Sequence, residues 1–169
     1  MFRLVIVEDE ENSRKGLKAT LAPIPNLEID TAGDGREGCL KAIRWNPDII
    51  ISDIHMPVWD GLVMTEKLCK KGFAGTIYLL TGYAEFEYAR KAITLGVNDY
   101  LLKPVSSRDI LEAVDRSKAQ ILECRARRIE RQSHSITQRE LFFSNLYSGI
   151  LMGPAQMLQR AAQLGISLA

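Results

Sequence analysis

Four short apolar runs of this 169-residue chain end in side chains capable of chemistry. Leu4-Val5-Ile6-Val7 gives way to Glu8-Asp9, Ile49-Ile50-Ile51 to Ser52-Asp53, Ile77-Tyr78-Leu79-Leu80 to Thr81, and Leu101-Leu102 to Lys103-Pro104. If those runs are strands of one open parallel sheet, their ends share a binding crevice, because ligands of such sheets sit outside the carboxyl ends of the strands. Three carboxylates converging at about 4–6 Å repel one another and raise at least one pKa unless positive charge sits among them. A hard divalent cation and an ammonium meet that need. Mg²⁺ takes one or two carboxylates, keeps several waters and accepts a phosphate oxygen. Glu8, Asp9 and Asp53, with the backbone carbonyl of His55, are the candidate ligands, and Lys103 pairs with the charge that remains. A cation beside Asp53 makes its carboxylate a credible nucleophile toward an activated phosphoryl group, since carboxylates do form aspartyl phosphates. Thr81 can donate a hydrogen bond to the transferred group. Any one acid after a strand is more often a turn or a helix cap; the reading rests on four strand ends agreeing.

The elements that must position these groups follow from hydrophobic pattern and punctuation. Strands are expected at Arg3–Val7, Leu27–Ala32, Ile49–Asp53, Thr76–Thr81 and Asp99–Leu102, separated by amphipathic segments, which is the alternation of a parallel sheet with helices on its faces. The first, third and fourth are apolar at nearly every position, as strands buried on both faces should be. Asp34 with Glu37 three positions on opens a helix containing Leu40 and Ile43. Asp60 caps one containing Leu62, Thr65 and Leu68, and Gly96 closes one containing Ala89, Ala92 and Ile93. A fifth helix starts near Ser106 or Ser107 and, with no Gly or Pro before Gly149, extends through about Arg131. Its apolar positions Ile110, Leu111, Val114, Ile121 and Ile129 thin out, and a heptad seam would have to include Ser117, Cys124 and Arg128, so it reads as a linker or weak dimer helix. A polar joint containing His134 then precedes Thr137-Gln138-Arg139-Glu140, a capping box ahead of Leu141, Phe142, Leu146 and Ile150. A last small helix runs from Pro154 to Gly165. Two short helices enclose little core, so the natural polypeptide is expected to continue past Ala169.

Composition narrows the class. With 46% apolar and 25% charged residues the chain is an ordinary globular protein, neither collagen-like nor disordered. No apolar run approaches the roughly 20 residues needed to cross a bilayer, and the N-terminus lacks the pattern of a secretory signal, so a cytoplasmic location is expected. Cys39, Cys69 and Cys124 are odd in number and far apart, which fits reduced thiols better than a metal or disulfide framework. Arg125, Arg127, Arg128 and Arg131 could touch phosphates, but beside Glu123 and Glu130 they read more simply as a solvated helix face.

The segments LVIVEDE, IIISDIHMPVWDG, IYLLTGYAEFEYARKAI and DYLLKP together, in order and spacing over about residues 1–120, resemble the receiver domain of two-component response regulators. That resemblance implies a flavodoxin-like (CheY-like) α/β fold, a doubly wound five-stranded parallel sheet of order 2-1-3-4-5, with a helical C-terminal extension over 121–169. It implies Mg²⁺ held by Glu8, Asp9 and Asp53, phosphoryl transfer from a sensor histidine kinase to Asp53, Thr81 and Tyr100 as switch residues, Lys103 on the phosphoryl group, and a cis bond before Pro104. Glu8 stands where many members have Asp. The resemblance further implies a switching face made by the fourth helix, fifth strand and fifth helix, through which, or through the extended fifth helix, a homodimer forms. SDIHMP, TGYAEFEYARKAI and RELFFSNLYSGIL are similar to regulators with an AraC-type helix-turn-helix output. No such DNA-binding pair of helices is visible before Ala169, so contact with DNA would need a domain absent from this chain. The rivals are a stand-alone receiver acting by protein–protein interaction and, from the enzyme class, a phosphotransferase or haloacid-dehalogenase-like hydrolase with an Asp nucleophile. The latter wants an acid two residues after its nucleophile, where this chain has His55.

Overall fold

In a computed structural model, residues 1–82, 99–147 and 154–164 are described. Residues 1–119 and 120–169 form two compact units.

The first unit is built on a parallel sheet of β1 (Phe2–Val7), β2 (Leu27–Ala32), β3 (Ile49–Asp53), β4 (Thr76–Thr81) and β5 (Asp99–Leu102), in the order β2-β1-β3-β4-β5. Every residue of β3 and β4 is buried, as is every residue of β1 except Arg3. These are the three strands whose sequences are apolar throughout, and they lie at the sheet's centre. β2, with its Glu28, Asp30 and Thr31, takes an edge.

Alternation along the strands separates two cores. Val5, Val7, Ile50, Ile77 and Leu79 pack with Cys39, Ala42, Leu62, Met64 and Leu68 from α2 (Gly35–Trp45) and α3 (Gly61–Lys70). The alternate residues Leu4, Ile6, Ile49, Ile51 and Leu80 are buried on the other face, the side of α1 (Glu11–Leu21) and of the first turns of α4 (Ser107–Tyr147), whose Leu21, Ile110 and Val114 are buried too. One polar link crosses this second core. The Tyr78 hydroxyl donates to the Ala113 carbonyl at 2.9 Å and lies 2.8 Å from Ser117 Oγ, which explains why a serine is fully buried on α4.

Two helix starts follow the expected capping chemistry. Asp34 accepts from the backbone N–H groups of Arg36 and Glu37 at 2.7 and 2.9 Å, and Asp60 from Val63 N–H at 2.6 Å. Asp34→Ala is therefore expected to cost about 0.5–2 kcal/mol, read as a lowered urea midpoint with an unchanged denaturant slope.

Three expectations are corrected or fall away. The helix after β5 does not stop near Arg131; α4 continues to Tyr147, so the Thr137–Glu140 capping box lies inside a helix and His134 is a helical residue rather than part of a polar joint. A capping box takes effect only where the chain is already leaving helical geometry, and Gln132-Ser133-His134-Ser135 contains no Gly or Pro to force that. Leu40 and Ile43 lie in α2 as expected, and both are exposed. The helix expected over Ala89, Ala92, Ile93 and Gly96 lies outside the described residues.

In the second unit α5 (Pro154–Gln163) begins at its proline, where the missing N–H costs nothing, and buries Ala161. Among the described residues no helix is long and apolar enough to cross a membrane.

Candidate functional site

The strand order brings the ends of β1, β3, β4 and β5 side by side, and the chain reverses its direction of winding between β1 and β3. That switch point is where an open α/β sheet leaves its crevice. Glu8 and Asp9 leave β1 there, and Asp53 is the last residue of β3.

Oxygen atoms of Glu8, Asp9 and Asp53 all lie within 4.8 Å of one another. Lys103 Nζ donates to Glu8 Oε2 at 2.8 Å and to Asp53 Oδ2 at 2.9 Å, spanning 95 and 50 residues of sequence. Glu8 and Asp53 are buried, whereas Asp9 is exposed. Burial pushes the Glu8 carboxyl above its usual range; the Lys103 hydrogen bond draws it back down, and the neighbouring Asp53 charge adds to the rise. For Lys103, burial works against the charge, but hydrogen bonds and attraction from Glu8 and Asp53 outweigh it and hold the ammonium above the ordinary lysine range. Three carboxylates against one ammonium leave two negative charges uncompensated. All the donors are carboxylate oxygens, which suit a hard dication such as Mg²⁺.

Backbone contacts fix these groups in place. The Lys103 N–H donates to the Thr81 carbonyl at 2.7 Å, joining the ends of β4 and β5, and the Lys103–Pro104 peptide bond is cis. Thr81 is buried at the end of β4. Tyr100 sits opposite Leu79 in the β4–β5 register and is 41% exposed. His55 is exposed in the segment after Asp53.

Three supporting residues escaped the reading of the sequence. Arg14, on α1, donates through Nη1 to the carbonyls of Glu8 at 2.6 Å and Asp9 at 3.2 Å, tying down the loop that carries both acids. Ser52 Oγ donates to the Asp53 carbonyl at 2.8 Å. Gly61 opens α3 against the end of β3, and a Cβ there would stand 2.3 Å from the Asp53 carbonyl oxygen. For Arg14 the only sequence signal is its placement one helical turn past the acidic pair; for Gly61 it is a glycine directly after the capping Asp60.

Residues 4–115 match the family model described as the response regulator receiver domain. YesN, an uncharacterised transcriptional regulatory protein of Bacillus subtilis strain 168, is 26% identical over 162 residues, 93% of this chain and 44% of that protein. The transcriptional regulatory protein LiaR of the same organism is 33% identical over 115 residues, 68% of this chain and 54% of that protein. The solved receiver domain of AraT, a response regulator from Geobacillus stearothermophilus, superposes with a TM-score of 0.66 at 32% identity, covering 73% of this chain and 98% of the other. The chain thus spans about half the length of these two curated relatives.

Proposed function

The chain belongs to the response regulator receiver family, and from that premise we propose that Asp53 takes a phosphoryl group from the histidine of a sensor kinase and that the domain passes its presence to a transcriptional output. The observation that carries this reading is the single cluster of Glu8, Asp9 and Asp53 with Lys103 bridging two of them.

Glu8, Asp9 and Asp53, with the His55 carbonyl, would hold Mg²⁺, which supplies positive charge to the transferring phosphoryl oxygens. In the transfer, a carboxylate oxygen of Asp53 attacks phosphorus, the bond from phosphorus to the donor nitrogen breaks, and its electron pair leaves with the histidine. Lys103 needs no large movement to meet a phosphoryl oxygen, because its ammonium already lies 2.9 Å from the attacking carboxylate. Thr81, one strand over, supplies a hydroxyl once its side chain turns toward the new oxygens. Phosphorylation adds about −1.5 to −2 charge and three strong acceptors. Two or three charge-assisted hydrogen bonds of roughly 1.5–3 kcal/mol each are enough to move a two-state equilibrium. Tyr100, exposed on β5, is the aromatic that would follow Thr81 inward and alter the surface that includes β5.

The receiver would occupy about residues 1–120 and the remainder a helical linker. Continuation of the YesN match through 93% of this chain supports a transcriptional output beyond the linker, and the RELFFSNLYSGIL tail favours one of AraC type. A cytoplasmic location and a homodimer through the switching surface belong to the same proposal.

Incubation with acetyl phosphate and Mg²⁺ tests the reading. Wild-type chain is expected to gain one phosphoryl group by intact mass, labile to alkali and to hydroxylamine as an acyl phosphate is. Asp53→Ala should gain none, and Thr81→Ala should still label without the shift in sedimentation that labelling produces in the wild type. Equal labelling of Asp53→Ala would refute the assignment.

A further inference from the structure

The sheet face that carries α2 and α3 holds a groove that the phosphoryl chemistry does not use. It has a volume of about 630 Å³ and is bounded by the two helices and the segment joining β3 to α3. Large apolar side chains are exposed along it: Leu40 is 51%, Ile43 47% and Val58 71% accessible. Leu40 and Ile43 are three positions apart on α2, a spacing that ordinarily turns both residues toward a core. Behind them Trp59 packs against the buried cluster and supplies an aromatic wall. Val58 is held at φ 70°, in the left-handed region that β-branched residues avoid. Such a conformation persists where the surrounding structure over-determines it, and it clusters at functional surfaces.

The charge lining the groove has one sign. Arg36, Lys67, Lys70 and Lys71 border it, and no acid does. Lys67 Nζ lies 4.5 Å from the centroid of the Trp59 ring, so part of this positive charge stands directly over the apolar wall; Lys70 shares its charge with Glu66. An apolar trough with basic edges complements a segment that is apolar on one side and acidic along its flanks.

We propose that this groove docks an amphipathic helix of a separate protein, with large apolar side chains on its seated face and Asp or Glu along both edges. A second copy of this chain is the poorer occupant. Its exposed apolar residues Leu122, Ile129, Leu141 and Phe143 stand in sequence among both signs of charge, with Glu123, Glu130 and Glu140 beside Arg125, Arg127, Arg128 and Arg139, and Leu158 lies near Arg160, so these stretches lack the uniformly acidic flanks that the basic edges select. Docking stands on this geometry and does not depend on Asp53 being phosphorylated.

The test uses the full chain and three fluorescein-labelled synthetic helices: one with Leu and Trp on one face and Glu on both flanks, one with Lys in place of each Glu, and one scrambled. Fluorescence anisotropy is expected to show binding of the Glu peptide alone, weakened by salt. Leu40→Glu, and separately Arg36→Glu combined with Lys71→Glu, should each raise its Kd about tenfold or more. All three residues are exposed, so thermal melts by circular dichroism should stay within a few degrees of wild type. Amide NMR shifts should map to α2, α3 and the joining segment. The proposal is overturned if the Glu peptide fails to bind at millimolar concentration, if the Lys or scrambled peptide binds equally, or if the variants leave the Kd unchanged. Sedimentation showing a dimer that Leu40→Glu dissolves would assign the groove to a second copy and overturn it as well.

Discussion

Lys103→Met is expected to lower the stability of the metal-free chain by about 2–4 kcal/mol at neutral pH, and added Mg²⁺ should return most of the loss. Removing one partner of a buried ion pair typically costs about 3–5 kcal/mol, because the other charge stays buried and unpaired. Here two carboxylates lose the same ammonium. The lysine side chain retains 31% exposure, so solvent already screens part of the interaction and the lower figure applies. The pH dependence has a definite sign. The Glu8 carboxyl titrates above its usual value in the folded chain, so the folded state binds that proton more tightly than the unfolded one. Its contribution is present below the unfolded value and is lost as pH rises through the folded one. Without Lys103 the bond that lowers the Glu8 pKa disappears, and that window should reach further toward neutrality. Lys103 has the complementary behaviour: its folded pKa is raised, so the wild type keeps its contribution below the unfolded value and loses it in strongly alkaline solution. Urea titrations of both proteins from mildly acidic to mildly alkaline pH, with EDTA or with Mg²⁺, measure the stability loss, its recovery by metal and the Glu8 window. A variant as stable as wild type without metal would remove Lys103 from the cluster's charge balance.

Much of this arrangement is written in local sequence. Leu4–Val7, Ile49–Ile51 and Ile77–Leu80 are short and apolar at consecutive positions, the pattern of strands covered on both faces, and they lie at the sheet's centre. Asp34 and Asp60 mark helix starts because capping depends on a few adjacent residues. The acids, hydroxyl and amine are legible for the same reason: once the strands are placed, parallel connectivity sends all their carboxyl ends to one edge. What is not legible depends on contacts remote in sequence, or on the absence of a break. Arg14 reaches back to two carbonyls with no side-chain partner to betray it. Ser117 looks like an interruption of an apolar stripe until Tyr78 is found beside it. The Thr137–Glu140 capping box misleads because the same four residues are acceptable inside a helix that nothing terminates. Leu40 and Ile43 have core spacing but no core to enter, since periodicity reports that a face is apolar and not what covers it.

Gly61→Val is expected to disturb both stability and phosphoryl transfer, while Gly16→Ala should do neither harm. A Cβ on Gly61 would stand 2.3 Å from the Asp53 carbonyl oxygen and 3.1 Å from the Asp53 carbonyl carbon and from Ser52 Oγ. The first two neighbours are backbone, so no side-chain rotation relieves the clash. The end of β3 and the start of α3 must separate, which strains the 2.9 Å bond from the Gly61 N–H to the Ile54 carbonyl. Overpacking of this kind costs typically 1–3 kcal/mol, and the strain falls on the residue that carries the nucleophile. A displacement of about 1 Å in a reacting group can cost on the order of a hundredfold in rate, so labelling of Gly61→Val by acetyl phosphate should slow by about tenfold or more even at temperatures where it is fully folded. Gly16 gives the contrast. It lies within α1 with nothing inside 4 Å of its notional Cβ, and alanine there should stabilise the helix by about 0.5–1 kcal/mol through the smaller backbone entropy lost on folding. Thermal melts and labelling time courses for the pair separate general glycine effects from the specific one. If Gly61→Val labels at the wild-type rate, the close approach of α3 to Asp53 does not position the acceptor.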